Sequence, residues 1–522
     1  MKEPKCISLQ LDYDKDLEQF LFHNYPDMQD YKVVKRSLDP RGAPRGRKPK
    51  YNYQIELLFE NVSKDENFHL PHFGPMKETP IIVGAGPAGL FAALYFADHG
   101  ISSIVIERGD PIQQRIKKIA KFWKDGILDV DSNVCYGEGG AGLFSDGKLY
   151  TRVKSPLIKY FRKRLVDFGA PEFTLWDNEP HIGSNKLRRI INTITKYLED
   201  CGTKFLFNTK LVDIDFDNHS NTVKSIYLSN GQKMDTRYLL LATGHSATDI
   251  YYMLGNKNVT MQCKNFAIGF RIEHRRDLID HSQFGPFAGD ELLGAAKYRL
   301  KTKINEQQSV FSFCMCPGGY ILSSGTDVDG LVTNGMSNFK HNSKWSNSAI
   351  ITNVLIGREF GAKWDEGLKF QRLIEYKAWH LSKEYNGLGK ILPGLHIHDL
   401  LKTGRPTRRL PPNSVLGNCI AAPIQEIFPF SIFEVLLLAI DRFAGKIKGF
   451  NNHDALVVAP ETRTSSPVTI VRDRKTLESI SNPGLYPLGE GAGYAGGITS
   501  AAVDGMTAAE RIISLEFLQK MT

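Results

Sequence analysis

The residues best able to do chemistry in this chain stand at a spacing suited to one task, the grip of a dinucleotide. Gly84, Gly86 and Gly89 follow the apolar run Ile81–Val83 directly and open a helical stretch that begins Pro87-Ala88. In a Gly-x-Gly-x-x-Gly turn the first glycine allows the tight bend, the second lets backbone approach a pyrophosphate, and the third lets the helix pack on the sheet. The helix N-terminus then offers free N–H groups and the positive end of its dipole to the phosphates. Glu107 ends a second strand 21 residues after Gly86, with Arg108 beside it as a further cofactor contact. An acid at that distance can accept from ribose hydroxyls. Residues 80–109 thus predict an adenosine diphosphate site, a half common to NAD and FAD.

A second glycine-rich element near the far end separates the two. Residues 485–488 are a short strand, followed by Gly489-Glu490-Gly491 and then by a helix that starts around Gly497-Ile498. Glu490 can accept from a ribityl hydroxyl, and amides near Gly497 can stabilise negative charge on a reduced flavin. This segment resembles the ribityl-binding element of the glutathione-reductase-like flavoproteins, which implies FAD. Between the two half-sites, residues 204–207, 212–216 and 223–228 alternate as strands, and Leu239–Leu241 runs into Ala242-Thr243-Gly244. They resemble the three-stranded meander and Ala-Thr-Gly turn of the same superfamily, and the resemblance adds Val212, Thr243 and Gly244 to the cofactor contacts. Gly139, Gly140 and Gly142, followed by Ser145, Gly147 and Lys148, resemble the second glycine-rich flavoprotein loop, whose amides can face an anion or flavin N5.

Longer strings narrow the match. Residues 137–152, 266–274, 312–321, 333–337, 461–473 and 485–505 together resemble the FAD-dependent dehydrogenases of unassigned substrate. The resemblance implies an FAD flavoprotein with an extra N-terminal domain and a flavin domain split by an insertion; it supplies no reaction.

Acid–base candidates are His245 after the Ala-Thr-Gly turn, His274 and Tyr494, because imidazole moves protons near neutral pH. Arg405, Arg408, Arg409 and Arg463 are the cations best suited to clamp an anionic substrate, with surface ion pairing as the plainer account. Cys314 and Cys316 suggest a redox dithiol, but a Cys-x-Cys disulfide closes a short, strained ring, so packing around Pro317-Gly318-Gly319 is the leading account. No metal site is expected. A second complete Gly-x-Gly-x-x-Gly unit is missing after Gly244, so electrons enter from transient NAD(P)H or from the substrate. The expected activity is hydride transfer between flavin N5 and a small organic substrate, an anionic one included. The alternatives are an NAD(P)H-using hydroxylase, a double-bond reductase, or a non-catalytic FAD sensor.

These elements need a large scaffold. The 522 residues suffice for two or three cores, and 42% apolar with 24% charged residues describes a soluble globular chain. The net charge of +9 is modest, and its most basic stretch, residues 41–50, interleaves glycine and proline and reads as a solvated loop, not a nucleic-acid site. Seven scattered cysteines and no signal-like or membrane-spanning segment predict a cytoplasmic protein; the oligomeric state is not legible. The predicted fold is α/β: a glutathione-reductase-like FAD-binding Rossmann domain (76–250 and 455–522), an inserted α+β substrate domain (251–454) and a small N-terminal α+β domain (1–75).

Overall fold

The computed structural model describes residues 4–60, 68, 70–386, 388–452 and 454–518. Short aliphatic strands build its first sheet. Ile81–Val83, Ile104–Ile106 and Leu239–Leu241 carry no polar alternation, as expected of parallel strands covered on both faces. The sheet order is Leu485–Pro487, Leu239–Leu241, Ile81–Val83, Ile104–Ile106, Lys204–Leu206, with every neighbouring pair parallel.

Side chains then divide by the strand period of two. Ile82, Val105 and Leu240 face the helix Pro87–Asp98, whose residues 88–97 are all buried because the helices Gly183–Asp200 and Ile498–Ile513 cover it in turn. Ile81, Val83, Leu239 and Leu241 face the other way, onto Leu211, Ile214 and Ile226 of an antiparallel meander. That meander is Leu211–Phe216, Val223–Leu228 and Lys233–Asp235. The sequence reading began it at residue 204, but Lys204–Leu206 pairs in parallel with Ile104–Ile106 as an edge of the first sheet.

The second sheet has seven strands, in the order Lys301–Lys303, Ser309–Cys316, Trp345–Val354, Phe266–Arg275, Leu456–Glu461, Leu392–His396, Cys419–Ala421. The helices Glu366–Asn386 and Phe430–Ala444 pack on it through Ile374, Ala378, Ile432 and Leu436. Leu456–Glu461, which a boundary at residue 455 assigns to the flavin domain, pairs here with Phe266–Arg275.

The N-terminal segment forms a three-stranded antiparallel sheet, Lys5–Asp12, Lys50–Leu58 and Asp30–Asp39, with Lys50–Leu58 in the centre. The Asp16 carboxylate caps its helix Leu17–Asn24 by accepting from the Gln19 amide at 2.8 Å. The basic loop expected to be solvated keeps Arg41 and Arg45 exposed, yet Ala43 within it is fully buried. Among the described residues no helix is long and apolar enough to cross a membrane, and no group of three or more His, Cys, Asp or Glu is placed to hold a metal.

The contact between Pro87–Asp98 and Ile498–Ile513 is tight because Gly505 has no side chain: a Cβ there would stand 2.0 Å from the Ala88 carbonyl oxygen. Gly505→Ala is therefore expected to destabilise the protein by about 1–3 kcal/mol through overpacking, read as a lower melting temperature. An unchanged melting temperature would show that the helices part without cost.

Candidate functional site

The carboxyl ends of the parallel strands open into a cleft of about 380 Å³, the size of a small-molecule site. It lies above Ile81–Val83, where connections leave to Ile104–Ile106 on one side and Leu239–Leu241 lies on the other, the place where open α/β sheets receive ligands. Two helix N-termini line it. Gly86 precedes Pro87–Asp98 and Gly497 precedes Ile498–Ile513, and neither helix has a side-chain cap, so their first amides are free for an acceptor from outside the chain.

Glycine is required at some of these positions by the protein itself. A Cβ at Gly84, where φ is +109°, would fall 2.3 Å from the Ala242 carbonyl oxygen, and one at Gly89 would fall 1.9 Å from that of Gly84. Gly86 and Gly497 differ. Their backbones are open to any residue, with φ of −82° and 173°, and the nearest protein atom to a Cβ would be 3.8 Å and 4.0 Å away. Nothing among the described residues calls for glycine there; both line the cleft, which leaves space for a ligand.

One carboxylate gathers the loops. Glu107 is buried and accepts from the amides of Ala85 (2.8 Å), Gly109 (2.9 Å) and Gly137 (2.9 Å). A carboxylate has about four acceptor sites, which leaves one toward the cleft that Glu107 lines. Arg115, fully buried, complements it by donating to the carbonyls of Asn133, Val134, Gly137, Glu138 and Gly140 at 2.6–3.3 Å. Burial lowers its pKa to about 10, so the guanidinium stays charged near neutrality. The Gly139 amide donates to Ala85 O at 2.8 Å, which lays the second glycine loop against the first.

The facing wall is made by Phe313, Cys314 and Glu461 of the second sheet, by Thr333 and Asn334 of a separate antiparallel pair (Tyr320–Ser323 with Thr333–Met336), and by Arg463 just past Leu456–Glu461. Arg271, with no exposed side-chain surface, grips Glu461 in a fork at 2.9 and 2.6 Å. Burial opposes its charge, but Glu461 outweighs burial and holds the guanidinium above its usual value. Lys148 lies 3.4 Å from Asp146 and donates to Met315 O. Asp146 also accepts from Ser337 and from His341 Nε2 at 3.0 Å. Burial pushes Asp146 up, yet Lys148 and His341 prevail and hold it well below the usual carboxylate range.

The predicted site residues divide cleanly. Gly84, Gly86, Pro87, Ala88, Glu107 and Arg108 line the cleft, as do Gly140, Gly142, Ser145, Gly147 and Lys148, then Thr243, Gly244, Gly489, Glu490, Gly497 and Ile498. Gly89 lies beneath the turn and Gly139 behind the loop; Val212 does not line the cleft and is exposed on the meander. Of the acid–base candidates only His245 reaches the cleft, with Nδ1 at 3.6 Å from Glu490 Oε1 and Nε2 buried without a hydrogen-bond partner. His274 is buried in the second sheet and bonded to Phe450 O at 2.7 Å, and burial lowers its pKa to about 4. Tyr494 lies outside the lining, its ring under Arg472 at 3.9 Å.

The cations do not converge either. Arg405 is exposed and away from the cleft, and Arg463 is matched by Glu375 (2.9 Å) and Asp327 (3.2 Å). Sequence reasoning missed Asp504, which accepts from the Gly489 amide at 2.7 Å and pairs with Arg472 at 2.6 Å. Its signal was an acid in a helix otherwise made of small and apolar residues at that point.

Two family comparisons bear on this site. Residues 265–464 match the family of the FAD-dependent protein, C-terminal domain-like, and residues 78–117 match an FAD binding domain. An uncharacterized protein of Clostridium beijerinckii is 38% identical over 467 residues, 88% of this chain and 85% of the relative. The chain belongs to the same family as this Clostridium protein. FAD is its cofactor, and this FAD-dependent protein is an oxidoreductase. The probable indole-3-pyruvate monooxygenase YUCCA9 of Arabidopsis thaliana is 27% identical over 170 residues, 32% of either chain. A solved geranylgeranyl bacteriochlorophyll reductase-like protein from Thermoplasma acidophilum aligns over 85% of this chain and 80% of its own at 13% identity, with a TM-score of 0.36.

Asp504 is the test of how the C-terminal loop is held. Asp504→Ala leaves the part-buried Arg472 guanidinium without its carboxylate, and because the pair is only partly buried the cost falls below that of a fully buried pair, about 3–5 kcal/mol. We expect a marked fall in melting temperature, and a smaller one for Asp504→Asn. Equal stability of all three proteins would remove the pair from any structural role.

Proposed function

We propose that this oxidoreductase is a dehydrogenase or reductase of the glutathione-reductase-like type, which moves hydride between flavin N5 and a small organic substrate. The observation that carries this reading is the pair of uncapped helix N-termini, with Gly86 and Gly497 beside them, facing one cleft under a second sheet. FAD, when bound, supplies the two-electron chemistry. The first amides of Pro87–Asp98 would hold its pyrophosphate, and the free acceptor site of Glu107 a ribose hydroxyl. Glu490 would accept from the ribityl chain, and the first amides of Ile498–Ile513 would stabilise negative charge on reduction.

The wall formed by Phe313, Thr333 and Asn334 would cover the substrate and exclude water. His245 is the best-placed proton carrier, because it alone of the acid–base candidates lines the cleft and its Nε2 has no hydrogen-bond partner among the described residues. An anionic substrate gains little support from the arginines, since Arg463 is already matched by two carboxylates. On this reading residues 76–250 and the C-terminal segment form the FAD domain, and the insertion carries the substrate. NAD(P)H is the proposed transient donor. The partial likeness to a plant monooxygenase supports a second reading, hydroxylation with dioxygen.

Gly497→Val should leave the melting temperature of the apoprotein unchanged and weaken FAD binding about tenfold or more, a loss of at least about 1.4 kcal/mol, measured by flavin fluorescence titration. Full affinity would remove the assignment of the Ile498–Ile513 N-terminus to the flavin. Anaerobic titration of the holoprotein with NADH and NADPH is expected to bleach the flavin with one of them. Rapid NADPH oxidation that consumes oxygen and yields a hydroxylated product would favour the second reading instead.

A further inference from the structure

The strand Ser309–Cys316 carries a bulge at the cleft. Phe313 is paired with Ala349 and Cys316 with Asn347, so one extra residue is inserted on this strand. Cys314 takes φ +45°, a left-handed conformation that residues other than glycine seldom adopt. Consecutive residues of a regular strand face opposite sides, yet Phe313 and Cys314 both line the cleft while Met315 enters the core behind it. The bulge therefore presents a thiol where FAD chemistry takes place.

That thiol has company. The Cys316 thiol is buried and donates to the Cys314 carbonyl oxygen at 3.3 Å. Two cations flank the turn: Lys148 donates to Met315 O, and Arg271 donates to Cys314 O at 3.2 Å. No FAD contact proposed above uses either sulfur.

We propose that Cys314 and Cys316 form a second two-electron redox couple on the wall of the FAD cleft, cycling between dithiol and disulfide. The proposal rests on FAD occupying that cleft. The disulfide would accept two electrons and one proton from bound FAD in its reduced, anionic form: the S–S bond would break, Cys316 would take the proton, Cys314 would be left as a thiolate, and the cofactor would return to its neutral oxidised form, so charge and atoms balance.

The environment divides the roles in that way. The neighbouring Cys316 thiol lowers the Cys314 pKa and burial raises it, but with Lys148 and Arg271 adding to the lowering the thiol is held below its usual value. The Cys314 side chain in turn, with burial, holds Cys316 well above it. A ready thiolate beside a retained thiol is what thiol–disulfide exchange needs. The short ring that argued against this role from spacing has another consequence: strain makes a disulfide easier to reduce.

The test is an anaerobic dithionite titration of air-oxidised, FAD-loaded protein. The wild type should take up twice the electrons that its FAD alone accepts, and Cys314→Ser or Cys316→Ser only the FAD share, each with an intact flavin spectrum. Uptake at the FAD share in the wild type overturns the proposal. Should the variants lose FAD, iodoacetamide labelling of the wild type decides: Cys314 is labelled after reduction and protected before it, and equal labelling in both states overturns the couple. A protein that never takes up FAD yet still forms the disulfide would refute the cofactor placement separately.

Discussion

Three backbone amides from three loops meet on the Glu107 carboxylate, and the rest of the site follows from that convergence. The turn after Ile81–Val83, the end of the second strand and the start of the second glycine loop could otherwise move independently. Arg115 fixes the same loop from the opposite polarity by taking its carbonyls. Acceptor and donor together satisfy buried backbone that no sheet or helix pairs. The loop is thus rigid without regular structure, and the N-termini of both helices point into a cleft whose shape is set before any ligand arrives.

Much of this was legible because it is local. The glycine spacing, the apolar strand before it and the acid after it lie within one βαβ stretch, and the structure builds that stretch as read. The C-terminal strand and helix were found in the same way. The meander was misread by one strand because Lys204–Leu206 alternates like a hairpin strand but pairs across the chain, and pairing partners leave no mark on a short segment. Asp504 and Arg115 escaped for a related reason: each acts through backbone atoms of a distant loop, so residue type alone carries no sign of the partner.

The second sheet shows where side-chain reasoning reaches its limit. An arginine beside the cleft suggests a free cation, but Arg463 meets Glu375 from a helix 88 residues earlier, and its charge is matched before a substrate could use it. His274 sits in a string typical of the family and is simply a buried, neutral ring. Conversely, of the two cysteines that spacing dismissed, Cys314 is brought to the cleft by a bulge, a register change that only strand pairing reveals.

The order of the first sheet sets a schedule for synthesis. Leu239–Leu241 lies between Ile81–Val83 and Leu485–Pro487, so a nascent chain that has emerged from the ribosome through the insertion still offers this all-aliphatic strand with one edge unpaired. An open apolar edge is a template for association with other chains. The helix Ile498–Ile513, which closes over Pro87–Asp98, comes later still. A chaperone that shields the Leu239–Leu241 edge would have to hold on until Leu485–Pro487 has been made, and free FAD cannot replace it, since one of the two helix ends that line the cleft does not yet exist at that point.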